Sequence, residues 1–288
     1  MRVKGMRPRT GRDQLFVPRF RLMMFKSVIT LFILGSCLQA QTGKAPPNKA
    51  KDLIDQTVKA LGGDRFLNMH TRRTNARIYG FFHDQMSGYD IANIYTQYLD
   101  DKSLKGLQIK ERQVLGKHQD YSYLYLNDQG FDITFRGARP LEDERWDRYA
   151  RTTSNDILYW LRYRYDEPGM QYDYIGNQVL ITNHVEVVDI TDANDNTVRV
   201  YLDYNTKLPV RQSFKWLDPQ TKEHNDEVTD FDKWRDAGDG VMWPFTIERE
   251  RNGYKIFQIF ANKVEINGEL PANIFDLPKG AQILKKVN

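Results

Sequence analysis

Hydrophobic and polar positions follow a helical period near residue 50. In the stretch NKAKDLIDQTVKALGGDRFLNM, the apolar residues that recur at helical spacing are Leu53, Ile54, Val58 and Leu61. Acids and lysines fill most of the positions between them, so the predicted helix has one apolar stripe. Asn48 can cap its start, and Gly62-Gly63 supplies the left-handed residue that ends many helices. The pattern predicts a helix that packs on the strands following it.

After this helix the alternation changes to a period of two, which is typical of strands. The stretch YSYLYLNDQGFDITFRG predicts a hairpin, and HVEVVDITDANDNTVRVYLDYNTKLPVRQSFKWL predicts three strands with polar turns. In FTIERERNGYKIFQIFANKVEI, Asn252-Gly253 separates two alternating runs, the strongest local signal for a two-residue hairpin turn. With further runs near residues 77–83, 91–99 and 106–114, we expect about ten strands, joined mostly as antiparallel neighbours.

One helical segment interrupts the strands. TTSNDILYWLRYRYDEPG starts with a Ser154 cap, has Asp156 in the first turn and ends at Pro168-Gly169. One face of this predicted helix is apolar and consists of Ile157, Leu158, Leu161 and Tyr165. Two interpretations fit the pattern: a helix that covers the core, or a lid over a cavity enclosed by a strongly curved sheet.

The longest apolar run and the single cysteine, Cys37, share the segment FKSVITLFILGSCLQAQTG, residues 25–43. The run is too short for a membrane-spanning helix, which needs about 20 residues. A basic start, a short apolar middle and small residues at the exit are typical of a secretory signal. We therefore expect residues 1–40 to be an N-terminal extension and signal peptide, 41–47 a linker, and 48–288 one domain. Cleavage after Ala40 would discard Cys37. Alternatively, LGSC resembles a bacterial lipobox, in which the cysteine is acylated.

Removal of residues 1–40 changes the charge of the chain. The whole sequence has 42 basic and 38 acidic residues, but the first 40 residues hold eight of the basic ones and one acid. The remainder has 34 basic and 37 acidic residues, a net charge of −3. A net negative charge does not attract the phosphate backbone, so we do not expect a nucleic-acid partner. With Cys37 discarded or acylated, the folded part has no thiol, which excludes disulfides, thiol nucleophiles and cysteine-bound zinc.

No catalytic motif is found in the chain. It lacks the GxSxG elbow, the Walker loop and GxGxxG. The histidines have no metal-binding spacing; they are His70, His83, His118, His184 and His224. The string DANDNTVRVYLD resembles a calcium loop, but Thr197 stands where the sharp turn needs glycine, so a hairpin turn is the better interpretation. We expect no catalytic residue, no metal and no cofactor, and hence no enzyme. A hydrolase would need acids such as Asp132 and Asp173 to converge in three dimensions.

Three segments carry a resemblance to a known family. They are ALGGDRFLNM, VYLDYNTKLPVRQSFKW, and the closing VEINGELPANIFDLPKGAQIL with Phe275, Leu277, Pro278 and Gly280. From about residue 48 to 286 the chain resembles the LolA/LolB-like superfamily of bacterial envelope proteins, and most closely its uncharacterised outer-membrane lipoprotein-sorting-protein-like members. The resemblance implies a mainly β fold: a single, strongly curved antiparallel sheet that forms an unclosed half barrel, with an N-terminal helix and an inserted lid or core helix. It also implies a concave face that receives acyl chains.

The residues expected to bind lipid alternate along the strands or lie on the inserted helix. They are Tyr123, Tyr125, Phe131, Ile133, Leu158, Leu161, Phe214, Trp216, Phe257 and Ile259. The opposite strand parity would replace each strand residue by its neighbour. The family's carrier locks its lid with an arginine; the candidates here are Arg72, Arg73, Arg77, Arg162 and Arg164.

The resemblance implies a monomeric lipid or lipoprotein carrier. It would be periplasmic or anchored to the outer membrane through Cys37, with acyl chains and an envelope donor or acceptor protein as partners. The alternative is an envelope-stress sensor or scaffold of the same fold, with a protein partner and a filled interior.

Overall fold

The computed structural model describes residues 49–101 and 103–286. The helices are α1 (Lys49–Leu61), α2 (Asp64–Leu67), α3 (Asp143–Ser154) and α4 (Ile157–Tyr163). The strands are β1 (Thr71–Phe82), β2 (Gln85–Tyr98), β3 (Ile109–Leu115), β4 (Tyr121–Tyr125), β5 (Gly130–Thr134), β6 (Gly137–Pro140), β7 (Gln171–Leu180), β8 (Asn183–Thr191), β9 (Thr197–Asp203), β10 (Pro209–Leu217), β11 (His224–Asp236), β12 (Met242–Arg251) and β13 (Tyr254–Ile266). The predictions for the signal, Cys37 and the linker lie outside the described residues.

All 13 strands belong to one antiparallel sheet in the order β6-β5-β4-β3-β2-β1-β13-β12-β11-β10-β9-β8-β7. Two meanders, β1–β6 and β7–β13, join where β1 pairs with β13, so β6 and β7 form the two edges and the sheet is not closed into a barrel. The prediction of a mainly β, unclosed antiparallel sheet is confirmed. The expected count of about ten strands is too low. It omits β6, which has only four residues, β7, which has no fully buried position, and β11, although β11 alternates clearly.

The chain connects the two edge strands through α3 and α4. A short turn cannot join β6 to β7, because they are the outermost strands of the sheet. The connection therefore crosses one face of the sheet as two consecutive helices. We call the face that packs against the helices the inner face, and the opposite one the outer face.

The main core lies between the inner face and two helices, α1 and α4. From α1 it buries the predicted stripe of Leu53, Ile54, Val58 and Leu61, and it includes side chains from β8 to β13. The helix ends as predicted: Gly62 and Gly63 have φ angles of 128° and 61°. The apolar face of α4 is buried in the same core, so α4 is one of the core helices.

A smaller cluster lies on the outer face at β4–β6. Leu124, Ile133 and Ala138 are buried there, and Phe275 and Leu277 of the C-terminal segment pack against them. The backbone N–H of Ala138 donates to the carbonyl of Gln282 (2.9 Å), so the segment also covers edge strand β6. The resemblance of Phe275, Leu277, Pro278 and Gly280 to the family's closing motif implies a terminal strand. The closing segment is irregular instead, with a single bridge between Ala138 and Ile283.

Within the described part of the chain, none of the helices has the length and apolar character needed to span a membrane.

Candidate functional site: a cleft beside α3

The N-terminus of α4 is fixed to the inner face by a buried glutamine. The side chain of Gln212 on β10 accepts from the backbone N–H of Ile157 (2.6 Å) and donates to the carbonyl of Asn155 (3.0 Å). Asp156 is the actual N-cap and accepts from Leu158 N–H at 2.8 Å. The predicted Ser154 cap was wrong: Ser154 is the last residue of α3, because the chain bends at Asn155 and Asp156.

The C-terminal end of α4 is held by two of the candidate lid-locking arginines. Arg162 donates to the carbonyl of Met69 (2.9 Å) and to Asp100 (2.8 Å). Arg164 donates to Asp192, also at 2.9 Å. Helix α4 ends at Tyr163, before the predicted Pro168-Gly169. Bonds at both ends and a buried face anchor α4 as part of the core.

Helix α3 has a different relation to the sheet. Every residue of α3 is at least partly exposed, although the Tyr149 hydroxyl and the Arg151 Nε atom are buried. Side-chain stacking provides contacts between α3 and the inner face. The ring of Tyr149 stacks on Tyr125 of β4 with centroids 3.6 Å apart. The Arg145 guanidinium lies 4.7 Å from the ring centroid of Tyr123. Such contacts are worth about 0.5–1.5 kcal/mol each, so they position α3 without locking it.

A cleft of about 1210 Å³ opens between α3, the β2–β3 connection and the residues around the end of α4. This exceeds the volume of about 300–1,000 Å³ that is typical of small-molecule pockets. One part of the cleft is lined by polar and charged side chains such as Lys105, Asp128 and Arg151. Its apolar wall consists of Leu67, Leu99, Leu104, Leu107, Trp146, Ala150 and Tyr159. A wall of this kind can accept an acyl chain, because it offers apolar side chains and few groups that require hydrogen bonds.

The cleft is stabilised where the β2–β3 connection meets α4. The backbone N–H of Gln108 donates to the Tyr159 hydroxyl (3.0 Å), and the Tyr163 hydroxyl donates to the Gln108 carbonyl (2.6 Å). Burial raises the pKa of both tyrosines, so the phenols stay protonated at neutral pH. This side of the cleft is therefore preformed, whereas the α3 side is held by stacking.

A smaller crevice of about 550 Å³ lies between β1–β3 and the C-terminal segment. Its lining includes His70, Lys110, Glu269 and Asp276, and much of it is polar. It is therefore a poorer candidate for an apolar ligand than the cleft beside α3.

The residues predicted to bind lipid are spread over the molecule, and none of them lines the cleft. Leu158, Leu161 and Phe214 are in the main core. On the inner face, Tyr123, Tyr125 and Trp216 lie beneath α3. Phe257 and Ile259 lie on β13, where they pair with Arg249 and Ile247 of β12.

Phe131 and Ile133 require a correction, because they point to the outer face. Tyr123 pairs with Asp132, and Leu124 pairs with Phe131. Directly paired residues share a face, and the four-residue β4–β5 connection puts odd positions of one strand beside even positions of the other. Phe131 and Ile133 therefore pack with the outer cluster under the C-terminal segment.

Sequence reasoning missed the cleft residues for two reasons. Trp146 and Ala150 lie in the charged segment GARPLEDERWDRYARTT, which gave no prediction of a helix, and Leu104 and Leu107 lie in a connection. The available signal was weak: Trp146, Tyr149 and Ala150 have the spacing of one helical face.

The other candidate residues do not converge on the cleft. Asp132 lies on β5, second from one edge of the sheet, and Asp173 lies on β7 at the other edge. Among the described residues, no group of three histidine or acidic side chains is placed to hold a metal. The first five residues of the calcium-like string, 192–196, form the β8–β9 turn, and the rest is strand β9. In the turn, Asp192 accepts from the backbone N–H groups of Asn194 and Asn196, both at 2.9 Å.

Comparison with known proteins identifies the fold. No protein-family model and no curated protein matches the chain in sequence. Among solved structures, it is similar to an outer membrane lipoprotein-sorting protein domain from Vibrio parahaemolyticus, with a TM-score of 0.51, 10% identity, and coverage of 80% of this chain and 97% of that one. A DUF1329 family protein from Desulfovibrio piger gives a TM-score of 0.54 at 12% identity, covering 79% and 97% of the two chains. The described chain therefore has the fold of a lipoprotein-sorting domain, as its sequence resemblance implied.

Proposed function

We propose that the protein is exported to the bacterial periplasm and binds a lipid, or the acyl chain of a lipoprotein, in the cleft beside α3. The observation that carries the proposal is a cleft of about 1210 Å³ with an apolar wall, next to a helix with no buried residue. Each buried methylene contributes about 0.8 kcal/mol, so one acyl chain supplies several kcal/mol without any chemistry by the protein.

Helix α3 is the element that would move to admit the ligand. The inserted helix α4 had been considered as a lid, but its apolar face is buried and both of its ends are hydrogen-bonded. Helix α3 precedes it directly and is held by stacked rings and guanidinium groups. Outward movement of α3 would open the cleft and leave the main core between α1, α4 and the sheet intact.

In this proposal the protein is a carrier that accepts an acyl chain from one envelope protein or membrane and releases it to another. Its location is the periplasm, free after loss of residues 1–40 or anchored to the outer membrane through an acylated Cys37. The sequence resemblance to the LolA/LolB-like superfamily supports this proposal, as does the fold shared with a lipoprotein-sorting domain.

The full chain, purified from the envelope of its own host, provides the test. A native mass that exceeds the denatured mass by one lipid is expected. The denatured mass also shows whether the mature chain starts at an acylated Cys37 or at Gln41. Identical native and denatured masses would contradict the carrier proposal.

Two leucine substitutions test whether the lipid binds in the cleft. Leu104→Asp puts a charge into the apolar wall, and we expect lipid occupancy to fall about tenfold or more while the fold persists, since Leu104 is only half-buried. Leu217→Asp is the matched control, because Leu217 is exposed on the outer face. Equal lipid occupancy in the two variants would remove the cleft from the proposal.

A second candidate function is an envelope-stress sensor or scaffold that binds a protein. It is favoured by the filled interior between α1, α4 and the inner face. For this alternative we expect identical native and denatured masses of the unmodified protein. Leu104→Asp should then show the same absence of bound lipid.

A further inference from the structure

Most charged groups around the cleft are neutralised by close partners. Arg162 pairs with Asp100 at 2.8 Å, and Arg164 pairs with Glu167 at 2.9 Å. A third acid of the lining, Asp166, lies 3.4 Å from the ammonium group of Lys51. Because these charges are paired, they exert little net electrostatic attraction on an ionic ligand at the α4 end of the cleft.

Arg151 on α3 differs from these groups. It lines the cleft, and its guanidinium lies 3.5 Å from the ring centroid of Trp216. Among the described residues, the Nε atoms of Arg151 and Arg162 are both buried without a hydrogen-bond partner, but only Arg162 also has a carboxylate within hydrogen-bonding distance. An unpaired buried N–H of a charged group is costly, so a partner brought by a ligand would be stabilised there.

The carboxylate nearest to Arg151 is already used by other donors. Oε1 of Glu227 accepts from Nη2 (2.9 Å) and Nε (3.1 Å) of Arg251 and from Nε1 of Trp216 (3.1 Å). Arg151 reaches the same oxygen only at 3.9 Å, beyond hydrogen-bonding distance. Arg151 and Arg251 thus share the Glu227 carboxylate, and Asp147 is a second acid that acts on Arg151. No hydrogen bond to a carboxylate is formed by Arg151 among the described residues.

The electrostatic environment of Arg151 agrees with this geometry. Burial is the main cause that lowers the pKa of Arg151; Arg251 and Arg148 lower it further, whereas Glu227 and Asp147 oppose them. In the ligand-free protein the guanidinium charge of Arg151 is therefore only partly balanced by nearby acids. An anion next to Arg151 would stabilise this charge and offset the cost of its burial.

We propose that the ligand of the cleft carries an acidic group, a carboxylate or a phosphate, which pairs with Arg151 while the acyl chain lies along Leu104, Leu107 and Trp146. The inference rests on the proposed lipid-binding function and narrows the ligand to an anionic amphiphile. The same acidic group could come from a fatty acid, a phospholipid headgroup or free phosphate, and the experiment separates these sources.

The test compares two ligands of equal chain length, hexadecanoic acid and hexadecan-1-ol, titrated onto the full chain and followed by native mass spectrometry. We expect the acid to bind about 10- to 100-fold more tightly than the alcohol, the range for a hydrogen bond to a charged group. Arg151→Gln should abolish this preference, because it weakens the binding of the acid more than the binding of the alcohol.

Arg148→Gln is the matched control. Arg148 lies on the same helix, is exposed and does not line the cleft, so its loss removes the same charge at another position. We expect it to keep the preference for the acid. Arg151→Lys keeps the charge but loses the planar fork, and an intermediate preference is expected. It also serves as the readout if Arg151→Gln does not fold.

The outcomes separate a failure of the acidic-group inference from a failure of the lipid-binding proposal. Equal binding of acid and alcohol by the unmodified protein, or a preference that survives in Arg151→Gln, overturns the acidic-group inference and leaves lipid binding in place. Binding of neither overturns both, unless inorganic phosphate binds in an Arg151-dependent manner, which would identify free phosphate as the source. Tighter binding of a diacyl phosphatidate than of hexadecanoic acid would identify a phospholipid headgroup.

Discussion

Helices α3 and α4 are neighbours in the chain and lie on the same face of the sheet, yet they are held by different interactions. Helix α4 buries Ile157, Leu158, Trp160 and Leu161 in the main core. Every residue of helix α3 is at least partly exposed, and the helix contacts the sheet through stacked rings and guanidinium groups. The difference follows from composition: ILYWLRY is mostly apolar, whereas DERWDRYARTTS is mostly charged or polar.

This contrast assigns different roles to the two halves of the crossing connection. A helix that fills the core must stay in place for the protein to remain folded. A helix that is held by a few contacts, each worth about 1 kcal/mol, can open locally at a small fraction of the global stability. In the proposed function, the connection therefore combines a fixed core element, α4, with a movable cover for the cleft, α3.

The largest expected effect tests the core role of α4. Leu161 is 1% exposed. Leu161→Ala should lower the free energy of unfolding by about 2–5 kcal/mol, because it removes buried methyl groups and leaves a cavity. The measurement is urea denaturation at pH 7. Leu217→Ala, at a leucine that is 49% exposed on the outer face, should change the free energy by less than about 0.5 kcal/mol. Similar values for the two variants would show that α4 is not a core helix.

A smaller effect tests the anchor at the end of α4. Asp192 is 2% exposed and accepts a hydrogen bond from Arg164. Burial raises the pKa of Asp192, but hydrogen bonds from Asn196 and Arg164 outweigh it, and the net pKa lies below its ordinary value of 3.8. The carboxylate therefore stabilises the fold above pH 3.8, and this contribution is lost as the pH falls through the folded-state pKa.

Asp192→Asn should accordingly be less stable than the unmodified protein at pH 7, and its stability should fall less steeply below about pH 4. Urea denaturation between pH 7 and pH 2 measures both. Asp195→Asn, at an exposed position in the same turn, is the control and should keep the pH dependence of the unmodified protein. If stability depended on pH in the same way in both variants, the Arg164–Asp192 pair would not be a stabilising anchor of α4.

Strong local patterns made much of the fold predictable. The stripe of α1 and the Asn252-Gly253 turn are local signals, and the φ angles of 52° and 80° at that turn agree with the predicted type. The edge strand β7 was missed, because its exposed residues alternate only with partly buried ones such as Tyr172 and Tyr174. Helix α3 was missed because its contacts depend on distant residues such as Tyr125 and Trp216.

The candidate site was less predictable than the fold. Alternation shows that Tyr123 and Phe131 lie on strands, but only the register across the β4–β5 connection shows that they occupy opposite faces. The cleft is formed by a connection, a charged helix and the residues after α4, none of which has a period that indicates a cavity. Its geometry therefore depends on tertiary packing.

The smallest expected effect tests the mobility of α3 directly. In hydrogen exchange followed by mass spectrometry, peptides from Asp143–Ser154 should exchange faster than those from Ile157–Tyr163, because α3 can open without exposing the core. Tyr149→Ala removes the stacked contact with Tyr125, worth about 0.5–1.5 kcal/mol, and should speed exchange in α3 about two- to tenfold. Exchange in α4 should not change. If Tyr149→Ala accelerated exchange in both helices equally, the two would open as one unit, and the movable cover would have to include α4 and the core beneath it.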